Sequence, residues 1–159
     1  MVKYKKLLIG GLAIIIVIML FLFVPFNFDF TFAKEKQINF TTIEKNTLGS
    51  ILEKNNIQIN SSDELSAVIS INPAINFSEK IVLGAFQGQQ PTAGYEIIIY
   101  NVTETRSALF VHVQESIPSS CVVEEIITAP YHIIAVNKPK RNKEIIFVVE
   151  EVLECKNTN

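Results

Sequence analysis

Gly84-Ala85-Phe86-Gln87-Gly88-Gln89-Gln90-Pro91-Thr92-Ala93-Gly94-Tyr95-Glu96-Ile97-Ile98-Ile99-Tyr100 reads as the end of one strand, a bend and a second strand. Residues 81–86 are apolar and β-prone. Gly88, Pro91 and Gly94 then mark a turn, because glycine tolerates positive φ and proline fixes φ. Residues 95–102 return as aromatic and β-branched side chains, the composition that suits a pleated surface. Working downstream, 108–113, 121–127, 131–136 and 145–152 read as further strands. They are divided by Glu104-Thr105-Arg106, Pro118-Ser119-Ser120, Pro130 and the basic turn 137–143. Strands at this spacing without long helices between them predict a mainly β domain, a small antiparallel sandwich or partly open barrel.

Upstream of the bend, one helix is expected. Ser61 stands three residues ahead of Glu64, acids fill the first turn, and Leu65, Val68 and Ile69 follow at helical spacing. Asn72-Pro73 ends it, giving roughly two turns that cover one side of a sheet. The turn signal Asn46-Thr47-Leu48-Gly49-Ser50 precedes the apolar stretch 51–59, and the β domain is expected over 37–155. At about 120 residues it is long enough to bury well over half of its unfolded surface without a metal.

The N-terminus has a different composition. Lys3, Lys5 and Lys6 precede an uncharged apolar run over 7–26. As a helix, twenty residues at ~1.5 Å each match the roughly 30 Å core of a bilayer. Cleavable signal peptides carry an apolar region of only about 7–15 residues. The reading is therefore an uncleaved transmembrane signal anchor. Residues 1–6 form its cytoplasmic basic tail, 27–36 a juxtamembrane linker, and 156–159 a short tail. From the end of the span, Phe26, Phe28, Phe30 and Phe32 alternate with polar residues, which suits rings at the headgroup level or, by its period of two, a first edge strand of the outer domain. Lysines before the span keep that side in the cytoplasm, so the β domain is expected outside the cell membrane, on a single-pass protein. Beyond residue 26 there are 11 basic and 16 acidic residues, a net charge of -5. That balance argues against nucleic acid and against anionic lipid headgroups as partners.

Cys121 and Cys155 are the only cysteines, both on the expected outer side, where disulfides persist. A bridge between them would close a loop of about 34 residues and tie the last strand to the sheet. Four N-x-[ST] sequons, at Asn39, Asn60, Asn76 and Asn101, are acceptors in a host with the glycosylation machinery.

Catalytic chemistry is thinly represented. His112 and His132 are the only histidines and lie in apolar strand contexts, where a half-buried structural role is the common one. Glu124-Glu125 and Glu150-Glu151 are adjacent pairs, so on a strand they point to opposite faces. No nucleophile elbow, phosphate loop or dinucleotide fingerprint is present, and two Cys with two distant His lack metal-ligand spacing. The expectation is a non-catalytic binding domain without cofactor or metal.

Asn76-Phe77-Ser78-Glu79-Lys80-Ile81-Val82-Leu83, the bend Pro91-Thr92-x-Gly94-Tyr95-x-Ile97, and Thr128-Ala129-Pro130-Tyr131-His132-Ile133-Ile134 together resemble the PrcB-like family of protease-complex subunits, over roughly 62–149. Asn76 stands where Asp is expected, and Ala93 where a second glycine is usual. The resemblance implies an exported or membrane-attached companion of a protease complex. Loops on a rigid scaffold commonly carry recognition, which nominates Gln89, Gln90, Pro91, Thr92, Gly94 and Tyr95 as one contact loop and Pro130, Tyr131 and His132 as a second. The stretch 90–95 also resembles the Asn-Pro-Thr-Thr-Gly-Tyr loop of chagasin-like cysteine-protease inhibitors, with Gln90 in place of Asn. Envelope glycan binding is the third reading, with Tyr95, Tyr100 and Tyr131 as stacking rings.

Overall fold

Which strands are covered on one face and which on both follows from their side-chain pattern. The computed structural model describes residues 35–71 and 73–155. Their order is β1 (Lys36–Gln37), β2 (Phe40–Asn46), β3 (Asn55–Ile59), α1 (Ser62–Ser66), β4 (Lys80–Phe86), β5 (Glu96–Glu104), β6 (Ala108–Pro118), β7 (Tyr131–Asn137) and β8 (Glu144–Glu154). The strands form two four-stranded sheets, β1-β5-β6-β8 and β2-β7-β4-β3. This is an open sandwich, not a barrel. The apolar run 7–26, its basic flank, the phenylalanine alternation and the tail 156–159 lie outside the described residues. Among the described residues, no helix is long and apolar enough to cross a membrane.

Along β5 and β6 the inward side chains Ile97, Ile99, Val102, Leu109, Val111 and Val113 meet Ile81, Leu83, Ala85, Ile134 and Val136 from the other sheet. β4 and β7 read as unbroken apolar runs because they are central strands covered on both faces. Their second face, with Val82, Phe86, Tyr131, Ile133 and Ala135, is roofed by Ile59, Leu65 and Ile69. Burying each large side chain of this kind contributes about 1.5–3 kcal/mol.

The roof contains the expected helix in shortened form. Ser61 is its N-cap and accepts from Glu64 N–H at 3.2 Å, while the Glu64 carboxylate reaches back to Asn60 N–H at 2.8 Å. The helix ends at Ser66, well before Asn72-Pro73. Val68 and Ile69 continue as a turn, where Ser50 Oγ donates to Val68 O at 2.9 Å. Leu65 and Ile69 stay buried, so the apolar spacing served the roof without a longer helix.

Two expectations about the sheets are corrected. The sandwich is not wholly antiparallel, because β8 runs parallel to β6 over its full length. The chain leaves β6, crosses to the other sheet as β7, and crosses back as β8, so the first and third of these strands point the same way. Residues 121–127 are not a strand. A strand there would have to return along the free edge of β6, and β8 occupies that edge. The segment instead carries the chain from one sheet to the other across the end of the sandwich.

Candidate functional site

Three connections meet at that end: 47–54 between β2 and β3, 87–95 between β4 and β5, and 119–130 between β6 and β7. The bend 87–95 is held from both sides by backbone hydrogen bonds. Gln89 N–H donates to Leu52 O at 2.8 Å, and Gln87 N–H to Pro130 O at 3.0 Å. Gln90 and Thr128 exchange both of their backbone bonds, at 2.7 and 3.0 Å, and Ala93 N–H donates to Glu124 O at 3.0 Å. Thr128 Oγ1 adds a bond to Thr92 O at 3.0 Å. Gly88 has φ +77°, and a Cβ there would lie 2.7 Å from Lys54 N, so the turn requires glycine on two counts. The loop is thus a fixed platform. Gln89, Pro91 and Gly94 are exposed at its tip, with Gln90, Thr92 and Tyr95 half-buried beside them.

The second expected contact loop faces inward. Pro130, Tyr131 and His132 are all buried. Tyr131 stacks on Phe86, with ring centroids 5.9 Å apart and planes inclined by 16°. Burial, with a hydrogen bond to Glu44 behind it, pushes the Tyr131 phenol up to about 12. His132 lies between the sheets. Its Nδ1 accepts from Ile99 N–H at 2.8 Å, at the register shift of β5, and its Nε2 lies 3.0 Å from Thr42 Oγ1 on β2. A ring that accepts at Nδ1 carries its proton on Nε2 when neutral and donates to Thr42. Desolvation first, and the nearby Lys45 charge second, lower its pKa to about 4 against a smaller opposing pull from Glu96. These three residues join elements of the fold and are not presented to a partner.

What the end does present is apolar. Leu48, Leu52, Val122, Ile126 and Ile127 are at least half exposed on the first and third connections, and Leu153 is exposed at the adjoining end of β8. These side chains escaped the sequence reading because 121–127 looked like a strand, which would have turned alternate residues into the core. The break Pro118-Ser119-Ser120 and the adjacent acids Glu124 and Glu125 were the available signal. Beneath the apolar rim, Glu115 is buried and held by Lys54 Nζ at 2.7 Å, with Glu151 at 3.6 Å from the same ammonium. Its hydrogen bond with Glu115 is the main reason that Lys54 titrates above the ordinary lysine range. The pair fastens the 47–54 connection to β6.

Cys121 and Cys155 are both thiols and stand together at this end. A hydrogen bond to Cys121, followed by desolvation and the charge of that neighbour, holds the Cys155 thiol above its usual range. The sequons Asn39, Asn60 and Asn76 are exposed, whereas Asn101 is half-buried with its Oδ1 covered. His112 lies 3.3 Å from Thr103 Oγ1 and tilts against Tyr100 on the outer face of its sheet, whereas His132 meets β5 from the inner face at Ile99. Among the described residues, no group of three His, Cys, Asp or Glu is placed to hold a metal.

Residues 81–137 match the protein family described as PrcB C-terminal. The match covers just over a third of the chain, from β4 through the bend, β5, β6 and the crossing segment to β7. No curated protein and no solved structure matches the chain.

Proposed function

We propose, from the match of residues 81–137 to the PrcB C-terminal family, that the protein is a non-catalytic accessory subunit, anchored in the cell membrane by 7–26 and holding a surface or secreted protease complex with its extracytoplasmic sandwich. The observation that carries the reading is the rigid apolar rim: Leu48, Leu52, Val122, Ile126 and Ile127 exposed on connections that are bonded to each other and to the sheets. Apolar side chains gathered on a fixed frame mark a protein-binding surface, because ordering them costs little further entropy on association. Exposed Glu53, Glu124 and Glu125 on the same connections favour a partner surface that is apolar at its centre and basic around it. The bend contributes Gln89, Pro91, Gly94 and Tyr95 to this rim. A Cys121–Cys155 bridge, formed outside the cell, would fasten the crossing segment to the end of β8 and stiffen the rim further.

Affinity capture of the full-length protein from its native membranes, after crosslinking, tests this. Wild type should recover a protease component, and the variant Leu52→Ser, Ile127→Ser should lose it while remaining membrane-bound at normal abundance. Recovery that is unaffected by the variant would overturn the assignment of the rim. Loss of papain-type protease activity on addition of the wild-type protein would instead favour inhibition by the 90–95 loop.

A further inference from the structure

The opposite end of the sandwich has a charge that the whole-chain balance conceals. A cleft of about 740 Å³ is lined there by Lys36, Arg106, Lys138, Lys140, Arg141 and Lys143. These are six of the chain's 14 basic residues, so the net negative charge of the domain is not shared evenly between its ends. They come from β1, the β5–β6 turn and the β7–β8 turn, so the cluster is made by the fold and not by one basic run. Glu104 is the single acid lining the cleft, and it is taken by Lys143 Nζ at 3.1 Å. Lys143 also donates to Thr105 O. Lys36, Arg106, Lys138, Lys140 and Arg141 form no ion pair among the described residues. The turn that carries Lys138, Lys140 and Arg141 lines a second cleft of about 350 Å³ on its other side. Its cations are thereby available over a broad surface.

We infer that this end of the domain is a docking surface for an anionic phospholipid bilayer. Two observations select that occupant. Cations spread over three elements around an open cleft suit a layer of headgroups better than one small anion, which needs converging donors. The chain also enters the sandwich at this end, since Lys36 of β1 pairs with Glu104 at the end of β5. Only residues 27–34 separate the apolar run from the first described residue, a reach of no more than about 29 Å when fully extended. The inference rests on the proposed anchoring of 7–26, and it places the basic end toward the bilayer and the apolar rim toward solvent and partner. A composition-level balance of -5 averages over the two ends. Headgroups respond only to charges within about a Debye length, ~8–10 Å at ordinary salt.

The test uses the full-length chain reconstituted into nanodiscs of phosphatidylcholine alone or with added phosphatidylglycerol. Retention of the chain in discs through high salt and alkaline washing reports the anchoring separately. Amine-labelling rates of Lys36, Lys138 and Lys140 are then compared with those of Lys45 and Lys54 at the far end. The expected result is severalfold slower labelling of the first three in anionic discs, relieved by salt, with Lys45 and Lys54 unchanged. In the exposed-residue variant Lys138→Gln, Lys140→Gln, Arg141→Gln, the protection of Lys36 should shrink. Equal labelling in both disc compositions, with the chain retained, overturns the bilayer assignment. So does equal protection by inorganic polyphosphate in phosphatidylcholine discs, which would make a free phosphate polymer the occupant. A chain that washes out of both discs overturns the anchoring, and the docking surface with it.

Discussion

His132 is the residue whose environment has the clearest thermodynamic consequence. Its folded pKa of about 4 lies below the ordinary 6.5, so between those values the unfolded chain binds a proton that the folded chain refuses. Stability is therefore complete above pH 6.5 and falls as the pH drops toward 4, by at most about 3 kcal/mol at 1.36 kcal/mol per unit. Denaturant titrations at several pH values should show this loss, and His132→Gln should flatten it at the cost of lower stability throughout. Gly88 gives a second residue-scale expectation. Gly88→Ala adds a left-handed penalty of at least about 1–2 kcal/mol, and its Cβ meets backbone 2.7 Å away at Lys54 N. Gly94→Ala carries the same left-handed penalty at φ +88° but should cost less, since its nearest neighbours are side-chain atoms of Pro118 and Val123 at 3.1 Å and not backbone at 2.7 Å. Compared denaturation midpoints decide this. The glycines and the Ser61 cap were legible in the sequence because they answer local backbone needs. The use of His132 as acceptor for Ile99 N–H was not, because it depends on a register shift in β5 and on the approach of two sheets.

Among the elements, β4, β5, β7 and β8 were legible from their apolar runs, and the segment 121–127 was misread for an instructive reason. Val122, Val123, Ile126 and Ile127 have strand propensity, yet propensity fits a residue to a pleated surface only if an edge is free to pair. β8 takes that edge in parallel, and the segment becomes the crossing that exposes Val122 and Ile127. β6 was read too short for the converse reason. Gln114-Glu115-Ser116 looks polar, but Glu115 is satisfied by Lys54, and Ser116 by Glu154. The crossing segment also carries the redox expectation. Oxidation of Cys121 with Cys155 should leave one bridged species, seen as a mobility shift between reducing and non-reducing gels. Reduction should then lower stability by about 3–4 kcal/mol in the chain-entropy estimate for this loop. Unchanged stability on reduction would mean that the crossing is held by its bonds to the 87–95 bend alone.

For the whole molecule, the two ends of one sandwich have opposite characters: an apolar rim edged with acids, and a cleft lined with lysine and arginine. Neither was legible in the sequence, since composition gives a sum over the chain and the ends are assembled from distant turns. The basic turn 137–143 was visible, but its convergence with Lys36 and Arg106 required the fold. The residues 81–137 that match the PrcB C-terminal family contain the bend and the crossing segment of the rim, while Leu48 and Leu52 come from upstream of the match. The most direct measurement of the central claim places a photo-crosslinking residue in the full-length protein in its native cells, at Leu52 or Ile127 on the rim and at Val148 on the outer face of the other sheet. Crosslinks to a protease component are expected from Leu52 and Ile127 and none from Val148. Crosslinks from Val148 with none from the rim would contradict it.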